Sequence, residues 1–314
     1  MKKPLVLAIA AIALTAGAQA ESKFYGKMNV SVGYDDTSKV TSLKSNASRL
    51  GFKGSDDIGL GSKVIYQAEF QLAVDDGLGT DVDFDDGSDT NTDTNTLKTR
   101  NTYLGLAYDG MGTIKIGIMD TPVKKSQGKF DLFNDVFDMK AVIDGEKRLA
   151  NSVNFTTEKL GSLQASVSYI MQETDGVDDG ISASLVYSEG DVYAAVAIDS
   201  KTEDEDTATL RATVLYTMGD IRLGALLNSV DESDTDDNEL GFGANASYKM
   251  GANTAKIQFL SSDQGGVLGE TAVTFGVDHK LSKGTKAYAS INLADSDADD
   301  SDVTGISFGL EHKF

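Results

Sequence analysis

The side chains best suited to chemistry are sparse and badly placed for it. The 314 residues include no cysteine and only two histidines, His279 and His312, so thiol nucleophiles and thiolate metal sites are ruled out. A Ser-His-Asp relay needs one of those histidines beside a hydroxyl and a carboxylate on neighbouring segments. Both instead close an alternating stretch, which suits a structural, interfacial histidine. Carboxylates are abundant, with 49 Asp and Glu, but they fall in polar connecting segments and mark no acid/base pair. Gly26-Lys27 and Gly128-Lys129 lack the upstream glycine of a phosphate loop. Asp81-Val82-Asp83-Phe84-Asp85-Asp86-Gly87 invites comparison with a calcium loop. Its glycine arrives one place late, and Thr92 stands where the bidentate Glu belongs. These residues predict no catalytic set, no metal centre and no cofactor.

The expected work is therefore done by shape and field, and the chain ends say where. Lys2 and Lys3, the apolar run Leu5 to Thr15 and the small-x-small site Ala18-Gln19-Ala20 have the layout of a secretory signal peptide over residues 1–20. That run is too short to span a bilayer as a helix. The expected mature domain, 21–314, then carries 26 basic against 49 acidic residues, a balance of −23. Such a field argues against nucleic acid as a partner. Pro122 is the one proline outside the leader, against 32 glycines, which suits long strands joined by tight turns.

The elements follow a period of two. Val64, Tyr66, Ala68, Phe70 and Leu72 alternate with Ile65, Gln67, Glu69 and Gln71, and the pattern returns at 163–169, 181–187, 208–216, 240–248 and 306–310. One face of each strand then meets an apolar medium and the other water. Aromatics close the apolar rows (Tyr66, Tyr169, Tyr187, Tyr216, Tyr248 and Phe314), as in an interfacial girdle. Seven short glycine-bearing connections, from Asp56–Gly59 to Leu281–Gly284, alternate with eight longer acidic ones. Among the long ones are Asp35–Ala47, Val74–Lys98, Asp120–Lys147 and Ser262–Gly269. That asymmetry predicts an all-β fold, a 16-stranded antiparallel transmembrane β-barrel in the outer membrane of a Gram-negative cell. A secreted β-sandwich enzyme has no reason to keep it.

Several motifs then occur in a telling order. They are Phe24-Tyr25-Gly26-Lys27, Ser48-Arg49-Leu50-Gly51-Phe52-Lys53-Gly54, Gly61-Ser62-Lys63, the run Arg100 to Leu106, Asn151-Ser152-Val153-Asn154-Phe155 and Glu311-His312-Lys313-Phe314. In these the whole mature chain resembles the trimeric general-diffusion porins of beta- and gamma-proteobacteria. The resemblance implies a homotrimer, passive diffusion of ions and small hydrophilic solutes, and a third loop folded inward against a basic wall. Carried over, the wall is Lys27, Arg49, Lys53, Arg100 and Arg148. Arg49 and Lys53 share parity with Gly51 and so face the lumen. Arg100 shares parity with Leu104 and Leu106; a lumen-facing Arg100 would turn Tyr103 to lipid.

Asp120–Lys147 fits the inward loop, with Asp131, Asp135 and Asp138 facing the pore among pinning residues Phe130, Phe133 and Phe137. The other reading of this segment is an amphipathic helix on the outer surface. The chain departs from the family in lacking the enteric Pro-Glu-Phe-Gly-Gly-Asp stretch. It also has Gly117-Ile118-Met119 where relatives often carry Gly-Arg-Gln, so one wall arginine is missing. Phe314, after Phe308 and Leu310, resembles the signal read by the barrel-assembly machinery. The acidic loops are candidates to share divalent cations with lipopolysaccharide phosphates. The rival function is a plugged surface barrel whose acidic loops bind a ligand or adhere.

Overall fold

The computed structural model describes residues 22–36, 38–75, 97–202, 207–232, 238–266, 269–296 and 301–314. The leader expected over 1–20 and the acidic segment Asp81 to Gly87 lie outside the described residues. Eighteen hydrogen-bonded segments form one antiparallel sheet. Two strands are each interrupted once, so the eighteen segments amount to sixteen strands. β1 is Lys23–Asp35, β2 runs as Val40–Ser45 and Ser48–Gly59, β3 is Ser62–Leu72, and β4 runs as Leu97–Thr99 and Thr102–Tyr108. Next come β5 Gly112–Asp120, β6 Arg148–Thr157, β7 Leu163–Ile170, β8 Gly180–Glu189, β9 Val192–Ser200 and β10 Thr207–Met218. β11 Ile221–Glu232, β12 Glu239–Met250, β13 Asn253–Gly266, β14 Gly269–Lys280, β15 Thr285–Ser296 and β16 Ser301–Lys313 complete the set.

Each strand pairs with its chain neighbour, and β16 returns to β1 from Lys27↔Lys313 to Asp35↔Gly305. Closure leaves no free edge, the condition for a sheet in lipid. The faces are inverted relative to a water-soluble protein. On β10, Arg211 is 0% and Thr209 1% exposed, whereas Leu210 is 58% and Val214 50% exposed. Leu104, Ile116, Leu227, Phe242 and Phe308 continue this apolar exterior around the barrel. A band of that extent is incompatible with water and matches a hydrocarbon surround. Among the described residues no helix is long and apolar enough to cross a membrane.

The buried apolar cluster lies inside the barrel, where the 121–147 loop docks. Phe130, Met139, Val142 and Ile143 of the loop pack on Leu215, Leu226, Leu260, Ala272 and Ala294 of the wall. Each large side chain buried there contributes about 1.5–3 kcal/mol to docking.

Strand limits differ from the sequence reading at the watery ends. β2 continues through Asp56 and Asp57 to Gly59, and the turn falls at Leu60-Gly61, with φ of 57° and 71°. The long loop expected at Asp35–Ala47 is largely strand, and β13 extends to Gly266 before β14 resumes at Gly269. Polar residues beyond the lipid carry no apolar alternation, yet their backbones keep the ladder going.

Candidate functional site

The inward loop starts where Gly117 and Met119 break the β5–β6 register. Thr121 caps the short helix Pro122–Ser126, its hydroxyl accepting from Lys124 N at 3.1 Å, with Pro122 in the first turn where no N–H is needed. The helix buries Pro122, Val123 and Ser126 against β8 to β10. Gln258, Lys256, Asn245 and Arg222, all on the far wall, then bond the loop backbone at Leu132 N, Leu132 O, Phe130 O and Lys129 O. The returning limb is clamped by Arg211 of β10. Its guanidinium donates to Glu146 Oε1 at 2.5 Å, to Asn228 Oδ1 at 3.0 Å and to Asp144 O. Burial pushes the Glu146 carboxyl up, and Arg211 pulls it back. Gly145, at φ 99°, leaves room for the clamp, since a Cβ there would stand 2.8 Å from an Arg211 nitrogen.

Opposite the docked loop, β1 to β6 present a charged wall. Arg100 Nε donates to Glu69 Oε1 at 2.8 Å and Arg100 Nη1 to Gln71 Oε1 at 2.9 Å. Arg49 lies 3.9 Å from Glu69 and 3.9 Å from Asp135 of the loop. Lys27 is ion-paired with Asp135. Arg148 meets Asp120 at 2.8 Å, and Lys124 approaches Asp120 at 3.6 Å. Among the described residues Lys53 and Lys115 form no ion pair; each ammonium lies 5.0 Å from a tyrosine ring, Tyr25 and Tyr103 respectively. Cations on one side facing a loop carboxylate on the other make a transverse field at this level.

The sequence-derived sites divide as follows. Lys27, Arg49, Arg100 and Arg148 line this level, and Lys53 lies on the same inner row as Arg49. Of the three loop acids only Asp135 pairs with the basic wall. Asp131 turns into its own loop, accepting from Phe133 N and Met139 N at 2.9 Å and from Gln258 Nε2 at 3.2 Å. Burial and the nearby charge of Asp138 push its carboxyl above the usual carboxylate range. Asp138 caps the turn Met139–Ala141 and pairs at 4.0 Å with Lys140. The placement of Asp131 on the pore face is thus corrected, and backbone N–H groups freed by the loop's turns bind both carboxylates.

Tyr103 is also corrected, since it faces inward with its hydroxyl 3.3 Å from Gln67 Oε1. The β4 interruption at Arg100-Asn101 resets parity, so Arg100 and Tyr103 both reach the lumen. Sequence reasoning missed Glu69, Lys115, Asp120, Arg211 and Glu146. Glu69, Lys115 and Arg211 each stand on the polar row of an alternating strand, which was the available signal.

His279 and His312 are exposed at strand ends, beside Asn253 Oδ1 at 2.7 Å and Thr285 Oγ1 at 2.8 Å. No cluster of His, Asp or Glu among the described residues could hold a metal ion.

The sequence profile described as Gram-negative porin matches residues 6–300. Outer membrane porin protein 32 of Delftia acidovorans is 25% identical over 370 aligned residues, covering 100% of both chains. Major outer membrane protein P.IB of Neisseria meningitidis serogroup B / serotype 15 is 23% identical over 356, again covering 100% of both. Among solved structures, the anion-selective porin from Comamonas acidovorans shares the fold with a TM-score of 0.76 at 20% identity, over 94% of this chain and 100% of that one. Salmonella typhi OmpF in complex with daunomycin follows at 0.72 and 16%, over 93% and 97%. With the profile spanning nearly its whole length and the closed barrel beneath it, the chain belongs to the Gram-negative porin family and forms an outer-membrane channel for passive diffusion.

Proposed function

We propose that ions and small hydrophilic solutes pass a constriction bounded by Lys27, Arg49, Arg100 and Arg148 of the wall and by the loop that Asp135 ties to Lys27 and Arg49, and that the channel prefers anions. The observation that carries the preference is the pair Lys53 and Lys115, on the inner wall between the waist and the short turns, neither of which forms an ion pair among the described residues. Arginine suits the wall because it stays charged and its planar fork is fixed. Residues 1–20 act as a signal peptide and 21–314 as the mature barrel, which works as a homotrimer, as the family resemblance implies. Phe314 serves as the assembly signal. The chain carries out no chemical step of its own. Loop acids share divalent cations with lipopolysaccharide phosphates, so a chelator lowers the lipopolysaccharide that copurifies.

The test is conductance of the unheated protein in a planar bilayer under a salt gradient. Steps closing in threes with a reversal potential of anion sign support the reading. Silence from inserted, folded protein would leave a plugged barrel, and a cation-signed potential would remove the anion preference.

A further inference from the structure

Three rings of the inward loop rest on three glycines of the wall. Phe130 sits over Gly243 of β12, Phe133 over Gly276 of β14 and Phe137 over Gly305 of β16. The seats fall on alternate strands, all on the inner row, and the rings follow one another at spacings of three and four residues. A Cβ on Gly243 would stand 2.6 Å from Phe130 Cζ, one on Gly276 2.6 Å from Phe133 Cε1, and one on Gly305 2.8 Å from Phe137 Cε1. Carbon atoms in contact settle at about 3.5–4.0 Å. Even a methyl group on any seat would therefore press its ring roughly 1 Å off the wall, towards the lumen. None of the three has a positive φ, so space rather than backbone conformation is what glycine supplies there. Polar anchors flank the seats: Asn245 holds Phe130 O at 2.6 Å, and Lys256 stacks 4.5 Å from the Phe133 ring.

We propose that Gly243, Gly276 and Gly305 are specificity-determining sockets that set the aperture of the channel by fixing how far the loop stands off the wall. This rests on the reading of the loop as one side of the constriction. A ring seated flush on a glycine lets the loop hug the barrel, and the free cross-section is what remains between the docked loop and the wall that carries Arg100 and Arg148.

The test is single-channel conductance, with liposome swelling in neutral sugars of graded size, for parent, Gly243→Ala, Gly276→Ala and Gly305→Ala. Conductance is expected to fall about 1.2-fold or more, with an earlier sugar cut-off and unchanged heat stability of the assembled protein. Gly276→Ala/Phe133→Leu, which returns the lost space, is expected to recover the parental values. Folded alanine variants that conduct and sieve like the parent would overturn the proposal. Should the alanine variants fail to assemble, Phe133→Ala, which empties one socket, must raise conductance or open-channel noise, and parental behaviour there overturns it equally. A silent parent protein would instead remove the channel reading, and this inference with it.

Discussion

Arg49 stands midway between a wall acid and a loop acid, 3.9 Å from Glu69 and 3.9 Å from Asp135. At that separation each attraction is moderate in a wet lumen, so the side chain acts chiefly by its charge and its bulk. Arg49→Ala is expected to enlarge the pore and shift permeability towards cations; a reversal potential and conductance equal to the parent's would exclude Arg49 from the constriction. Lys125, on the short helix, faces a different balance. Desolvation in the confined lumen, with repulsion from Lys115, lowers its ammonium to about 8. Its positive charge is therefore full at pH 6 and largely lost by pH 9. Anion preference should decline across that interval in the parent, and Lys125→Met should flatten the decline. A parental pH profile in that variant would assign the titration elsewhere.

At the scale of elements, the loop root hangs on one buried ion pair. Removing one partner of such a pair leaves an uncompensated charge, at a cost of about 3–5 kcal/mol. Arg211→Met should thus loosen the returning limb and make the open current noisy, while Arg211→Met/Glu146→Gln should quieten it. Quiet current in the single variant would show that the apolar cluster holds the loop alone. The seam between β1 and β16 is held at its end by reciprocal bonds of 3.1 Å between Gly26 and Phe314, whose ring lies against Gly26 on the outer face. Deleting Phe314 should lower outer-membrane yield, and unchanged levels of assembled protein would refute its role. These elements were legible to different degrees. Alternation exposed the strands because lipid and water impose opposite demands on adjacent residues. The loop acids were not separable, because which carboxylate turns inward depends on backbone N–H groups that only the folded loop leaves unpaired.

For the whole molecule, two fields of opposite sign act in series. The sequence carries −21, concentrated in the acidic connections, whereas the waist is rich in Lys and Arg. Screening lengths fall from roughly 10 Å at 0.1 M salt to roughly 3 Å at 1 M. The mouth, acting over distance, is silenced first, and the waist, acting near contact, persists. Permeability should therefore shift towards anions as salt rises. A preference that is independent of ionic strength, or that moves towards cations, would rule out the two-field arrangement. The fold class was readable at this scale because its signal repeats in strand after strand. The bulges that aim Arg100 and Tyr103 were not, since one extra residue in a strand leaves no trace in composition.

Those bulges bear on how such a channel changes its length over evolutionary time. In an uninterrupted strand, losing one residue exchanges the lipid and lumen faces up to the next connection. Between the pairs Phe70↔Thr99 and Gln67↔Tyr103, β4 holds one residue more than β3 opposite it. A chain without Asn101 would heal the ladder and keep every flanking side chain on its present face. Its loss would cost the amide bonds to Asp120, 2.7 Å in each direction. A single-residue deletion, which would swap the faces of an uninterrupted strand, is thus tolerable beside Arg100.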